Sequence, residues 1–280
     1  MPLGLCGLAW GFGCAVKWLC IYSGLGLLVV FFYTVYQRVQ EYRAAATEGR
    51  DEITSVFKKR LIATLIFCVG VFIVVPLIIY AVSYIPYENA SPGFGLRGII
   101  DNQEYMLTYH GNLVGQGEHA FQSKVLSWPL DIRPVFFFQS RNAVEGTIAG
   151  ISCFGNPILL WGGVIAVIVL MCVRGNKKIN LVGIPFVAIM GLAQYLPWMI
   201  ISRETFIYHY FATIPFVVLA IVYLMRYLSE NYGKKARVLS YVFVGICVLA
   251  FVCFYPMITG TPVSENWSNA MRWLPTWPFY

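Results

Sequence analysis

The chain has 280 residues, 59% of them apolar and 12% charged, with a net charge of +7 at pH 7. Soluble domains are nearer half apolar and a quarter charged, and disordered chains pair low hydrophobicity with high net charge, so neither class describes this sequence. A mean hydropathy of +0.68 points to an all-α polytopic membrane protein. At roughly 20 residues per span, the length allows about six or seven helices with short loops.

The first apolar run, Leu3 to Tyr36, is interrupted by one charge, Lys17, and is too long for a single span. It predicts a short helix over 3–16, a break near Lys17 and a span over 18–36. A polar, helical segment follows over 37–60. Further spans are expected over 61–85, 147–173, 179–202, 205–227 and 238–259, each long enough to cross with tilt. The polar joins are 174–178, 202–204 and 229–237. The organisation read from this pattern is a membrane region over 1–85, a long loop over 86–146, and a four-span region with a short tail over 147–280.

Lysine and arginine placement sets the expected orientation. Arg38, Arg43, Arg50, Lys58, Lys59 and Arg60 fall in segment 37–60, Arg174, Lys177 and Lys178 in the next join, and Arg226, Lys234, Lys235 and Arg237 in the last. Arg97, Lys124, Arg133, Arg141, Arg203 and Arg272 are spread over far more residues on the opposite side. The dense set is therefore read as cytoplasmic, with loop 86–146 and the C-terminus outside. The basic excess is topological, and nucleic acid is not an expected partner. Met1-Pro2-Leu3 runs into the membrane without a basic segment or cleavage site, so the start reads as the middle of a longer protein rather than a signal peptide. All eight cysteines lie in apolar runs, with no CxxC or Cys/His cluster, which supports neither a disulfide framework nor a metal site.

Three places carry polar groups that a membrane discourages. Lys17, beside Trp18, is either a lysine snorkelling to the outer interface or a cation at a broken helix facing an anionic ligand. The turn Ser202-Arg203-Glu204 opens a predicted helix that puts Thr205, Tyr208 and His209 on one face. A helix N-terminus next to a guanidinium makes an anion site, whereas the plainer alternative is a hairpin between spans with its Tyr and His in the interfacial belt. The outer loop holds Gly117-Glu118-His119 and the stretch from Ser127 to Phe138, including Trp128 and Arg133. Residues 120–130 could form an amphipathic helix on the membrane with Phe121, Val125 and Trp128 downward, and periodicity leaves binding and simple interfacial roles even. The Asp51-Glu52 pair falls in the cytoplasmic charged segment and reads as a solvated helix face.

At these residues the chain resembles the C-terminal half of the dolichyl-phosphate-mannose–protein mannosyltransferase family in its bacterial form. The resemblance rests on the run Gly7–Trp18 with Lys17-Trp18, on Ser127–Pro134 preceded by His119, on Ile151–Pro157, on Arg203–Tyr210 and on Met271–Trp277. It implies a GT-C glycosyltransferase fold. It also implies transfer of mannose from a polyprenyl-phosphate carrier to Ser or Thr hydroxyls of proteins on the outer side of the membrane, without a cofactor or metal. Such chemistry needs a carboxylate to take the hydroxyl proton and cations to receive the departing phosphate. The family's carboxylate pair is an Asp-Glu in its first outer loop, which no residue here matches, and Asp51-Glu52 stands on the wrong side. No catalytic residue is thus assigned within this chain, which is expected to be inactive alone. The resemblance places Arg203 and Lys17 near the carrier phosphate, Tyr208 and His209 in the same pocket, and His119, Trp128 and Arg133 over donor or acceptor. The loop is too short for the sugar-binding module that some members insert, and Ala120-Phe121 and Val125-Leu126 depart from the family's pattern there. A small-solute transporter, an accessory membrane subunit, and a GT-C transferase of another sugar are the alternative roles.

Overall fold

In the computed structural model, which describes residues 2–112, 119–140, 143–173 and 183–279, Lys17 interrupts the first helical run as a single extended residue (φ −159°, ψ 133°). Helix α1 (Pro2–Val16) ends before it. A 3-10 turn over Trp18–Cys20 then leads into α2 (Ile21–Thr47), which carries the expected span and the polar segment in one rod. After the turn at 48–50 comes α3 (Asp51–Val69), where Asp51 and Glu52 occupy the first turn. A π turn over Gly70–Val74 precedes α4 (Val75–Val82). Pro76 explains the widening: it has no N–H for the preceding turn, and its ring crowds the carbonyl four residues back.

Small residues let α1 meet this run closely. A Cβ on Gly7 would lie 2.1 Å from Val71 Cγ1 and 2.7 Å from the Val71 carbonyl oxygen, and one on Gly11 would lie 3.1 Å from Pro76 Cα. This small-xxx-small spacing is how membrane helices pack backbone to backbone. Gly7→Ala should therefore cost about 1–3 kcal/mol through overpacking. Gly70→Ala, with nothing within 4 Å of the added carbon, should not share that clash. Thermal unfolding of both variants in detergent checks the difference.

The segment expected as a long loop is largely helical in its first part. Pro86 opens α5 (Ile85–Ala90), and α6 (Gly95–Asn112) follows a tight turn at Gly93 and Gly95, both in the left-handed region. Residues 1–112 form one compact unit and 113–280 a second.

In the second unit a 3-10 helix spans Val125–Leu130, and β1 (Val135–Gln139) pairs antiparallel with β3 (Gly150–Cys153) across a bulge between Phe136 and Phe138. Residues 147–153, expected inside a span, are instead extended, with β2 (Thr147–Ile148) paired to β4 (Val263–Ser264). The reason lies in the break residues: Gly146 takes a positive φ, and Asn156 caps α7 (Pro157–Val173). Its Oδ1 accepts from the Ile158 and Leu159 N–H groups at 3.1 and 3.2 Å, while Nδ2 donates to the Cys247 carbonyl (2.8 Å). Then come α8 (Ile184–Tyr195), α9 (Ile214–Tyr232), α10 (Lys234–Thr259) and α11 (Glu265–Met271). Phe154, Phe254, Met257, Trp277 and Phe279 form a core where the C-terminal tail folds back on α10.

Among the described residues, four helical runs are long and apolar enough to cross a membrane: Trp18–Thr47, Asp51–Ala90, Ile214–Tyr232 and Lys234–Thr259. Three shorter apolar helices, Pro2–Val16, Pro157–Val173 and Ile184–Ile200, accompany them, so this is a multi-pass helical membrane protein. The join 174–178, Arg141 and Gly117-Glu118 lie outside the described residues.

Candidate functional site

Two stretches far apart in sequence zip together in the second unit. The Ser123 N–H donates to the Thr205 carbonyl (2.9 Å), and the Thr205 hydroxyl donates back to the Ser123 carbonyl (2.9 Å). The His119 N–H donates to Glu204 Oε1 at 2.6 Å, and its ring meets Phe206 edge-on at 5.0 Å. Arg133 Nη2 donates to the Ala120 carbonyl (2.7 Å), clasping the start of the same stretch. His119 is exposed above this seam.

Trp128 anchors the seam from below. It is fully buried, its Nε1–H donates to Ser123 Oγ (2.8 Å), and its ring lies 6.0–6.4 Å from those of Trp198, His209, Tyr195 and Tyr210. The expected amphipathic helix over 120–130 is thus replaced by a short 3-10 turn with its tryptophan turned into the protein. Proline at 129 disfavours a regular helix, and the indole N–H finds a partner only inside.

The predicted helix beginning at Thr205 also differs. Phe206 is extended, and a 3-10 turn over Ile207–Ala212 precedes α9. His209 Nδ1 lies 2.9 Å from the Phe206 carbonyl and 3.2 Å from its N–H, serving one or the other according to tautomer. At the start of this turn, where a helix N-terminus was expected to face an anion, the Phe206 backbone is thus faced by an imidazole. His209 is buried, 4.0 Å ring to ring from Trp198 and 4.3 Å from Tyr208. Burial pushes the Tyr208 hydroxyl above its usual range, and the neighbouring Arg203 charge pulls it part of the way back. Arg203 is half-buried and makes no hydrogen bond or ion pair among the described residues.

Sequence patterns singled out Trp128, Arg133, His119, Arg203, Tyr208 and His209, and the structure brings all six into this one region of the second unit. Lys17 belongs to the first unit, exposed at the extended residue between α1 and the 3-10 turn. Two acidic residues escaped that selection. Glu204 holds His119 in place. Asp131, fully buried at a left-handed turn (φ 54°), accepts from the Gly155 N–H through Oδ2 (3.0 Å), while its carbonyl accepts from Trp277 Nε1 (2.8 Å). Among the described residues, its Oδ1 has no hydrogen-bond partner. Burial pushes this carboxyl up to about 8, against the pull of the Gly155 N–H. A lone acid in an otherwise apolar Trp-Pro-Leu-Asp-Ile run was the available signal. Among the described residues, no three His, Cys, Asp or Glu side chains converge as a metal site.

The family model described as the C-terminal four TMM region of protein-O-mannosyltransferase matches residues 96–277, which contain this whole seam. The chain belongs to the protein-O-mannosyltransferase family. A polyprenol-phosphate-mannose–protein mannosyltransferase of Mycolicibacterium smegmatis is 25% identical over 97% of this chain and 57% of the relative, and one from Mycobacterium tuberculosis is 24% identical over 97% and 56%. Dolichyl-phosphate-mannose–protein mannosyltransferase 5 of Saccharomyces cerevisiae is 27% identical over 58% of the chain and 24% of its own length. The chain thus spans a little over half the length of the mycobacterial relatives. A solved structure of the S. cerevisiae protein O-mannosyltransferase Pmt1–Pmt2 complex bound to the sugar donor matches 64% of this chain and 26% of that one, with a TM-score of 0.53 and 22% identity, a likeness of fold. Family membership leaves the transporter and accessory-subunit roles without support.

Proposed function

We propose that this chain forms the donor-phosphate side of a membrane mannosyltransferase that moves mannose from a polyprenyl-phosphate carrier to Ser or Thr hydroxyls of proteins on the outer face. The observation that carries this reading is Arg203: a half-buried guanidinium, next to the Tyr208 hydroxyl, with no acceptor among the described residues. A guanidinium partly shielded from water is well suited to take two oxygens of a phosphate, and its stabilisation grows as charge develops on the leaving group. Tyr208 and His209 form the wall beside it, and the Trp128 nest fixes that wall. His119 and Arg133, on the same seam, would face donor or acceptor, and Lys17, in the first unit, is read separately as a cation for an anionic ligand. The long segment after residue 86 and the C-terminus would lie outside the cytoplasm, opposite the basic turn between α2 and α3. No residue of this chain is given the role of general base.

The test is mannosyl transfer from polyprenyl-phosphate mannose to a Ser/Thr peptide by native membranes in which these residues stand within an active, full-length enzyme of this family. Arg203→Ala should lower the rate on the order of 10²-fold, the size of effect seen when one donor to a developing anion is removed. Arg203→Lys should recover part of it. Unchanged transfer by the alanine variant at normal expression would remove Arg203 from the site.

A further inference from the structure

Helix α6 is tied to its own unit through its middle. The Tyr80 hydroxyl donates to Gln103 Oε1 (2.7 Å), while Gln103 Nε2 and Asn102 Nδ2 both donate to the Tyr84 hydroxyl (3.0 and 2.9 Å). Tyr80 also accepts from Trp18 Nε1 at 3.0 Å. Trp18 begins the run that ends at Thr47, and Tyr80 and Tyr84 lie near the end of the run that begins at Asp51, so this network marks the membrane face opposite the turn joining the two. Tryptophan and tyrosine at the ends of spans sit at the headgroup level. The network therefore fixes the depth of α6 at the membrane surface.

At that depth α6 leaves three aliphatic side chains uncovered: Leu96 is 74% exposed, Ile100 66% and Leu107 63%. With about 100° between successive residues, the three fall within ~40° of one another, forming one flank beside the packed face of Ile99, Asn102 and Met106. Arg97, Asp101 and Glu104 make up the adjoining polar face. An apolar flank next to a charged one, on a helix held at the headgroup level of its own spans, matches the surface of an interfacial helix. We infer that α6 lies in the plane of the membrane interface, with Leu96, Ile100 and Leu107 in the acyl boundary and Arg97, Asp101 and Glu104 in water. One basic residue against two acidic ones leaves little attraction for anionic headgroups, so apolar burial holds it there. The contact is insensitive to salt.

The unmodified chain, reconstituted in phosphatidylcholine vesicles doped with a diazirine-bearing phosphatidylcholine, tests this without any substitution. Photolabelling mapped by mass spectrometry should place more lipid adducts on Leu96, Ile100 and Leu107 than on Arg97 and Thr108 of the polar face, because only the apolar flank is immersed. Raising the salt should leave that ratio unchanged. A variant carrying Leu96→Asn, Ile100→Asn and Leu107→Asn should stay inserted through its spans yet show faster backbone hydrogen exchange over 95–112. Equal labelling around the helix, protection of the three side chains by a second copy or another protein segment, or unaltered exchange in the triple variant would each overturn the inference.

Discussion

Replacing Trp128 by alanine should destabilise the second unit by about 3–5 kcal/mol, the range for deleting a buried aromatic side chain. The ring is fully buried among Tyr195, Trp198, His209 and Tyr210, so its removal leaves a void inside the protein. The loss also leaves Ser123 Oγ without its indole partner, although Ser123 keeps its backbone pairing to Thr205. Because the His209 ring stacks on Trp128 at an interplanar angle of 27° and also meets the Phe206 backbone, the damage reaches the turn that carries Arg203 and Tyr208. Trp128→Phe keeps most of the apolar contact, and should cost nearer the ~1 kcal/mol of a lost hydrogen bond. Equilibrium unfolding in detergent, followed by limited proteolysis over 119–140, separates the two. An alanine variant within about 1 kcal/mol of the parent would mean the nest is not a structural anchor.

The contrast between what periodicity predicts and what forms is instructive at these same residues. The helical runs were legible because an apolar stretch of about 20 residues has few other fates. Even the break expected near Lys17 was marked, by the one charge in that apolar run. Periodicity failed over 120–130 and 205–209 because it reports only local geometry. Those stretches are shaped by each other: Ser123 and Thr205 are 82 positions apart, and their two hydrogen bonds hold an extended pairing where local pattern favours a helix. Residues 147–153 were similarly drawn out of an expected span, by strand partners at 135–139 and 263–264. The candidate side chains were legible as types, since Arg, His and Trp in apolar surroundings are conspicuous. Their supports, Glu204 and Asp131, were not. Each acts through a backbone N–H of a residue distant in sequence, His119 or Gly155, and nothing in a local window announces such a bond.

Asp131 should make the stability of the second unit depend on pH in the opposite sense to an ordinary paired carboxylate. Its carboxyl is pushed up to about 8 in the folded chain by burial, against an ordinary value of 3.8. Between these values the folded state holds a proton that the unfolded state has released, so stability is greatest below about pH 4 and falls as pH rises towards 8. The slope is at most ~1.4 kcal/mol per pH unit, the worth of one proton. Above that value both states are ionised and the loss levels off. Ionisation is costly here because Asp131 is fully buried. Trp128 precedes it, Gly155 donates to Oδ2, Trp277 donates to its carbonyl, and among the described residues no donor reaches Oδ1. The neighbouring Cys153 thiol is pushed up to about 11 by burial and by Asp131, so it stays neutral through the window. Asp131→Asn keeps the shape and the acceptor for Gly155 while removing the proton. The variant should lose most of the decline between pH 5 and 8, and overtake the parent in stability at the alkaline end. Denaturant unfolding in detergent at a series of pH values measures this directly. Parallel pH profiles for parent and variant would mean that Asp131 is ionised in the fold, with its charge met by something other than the groups that surround it here.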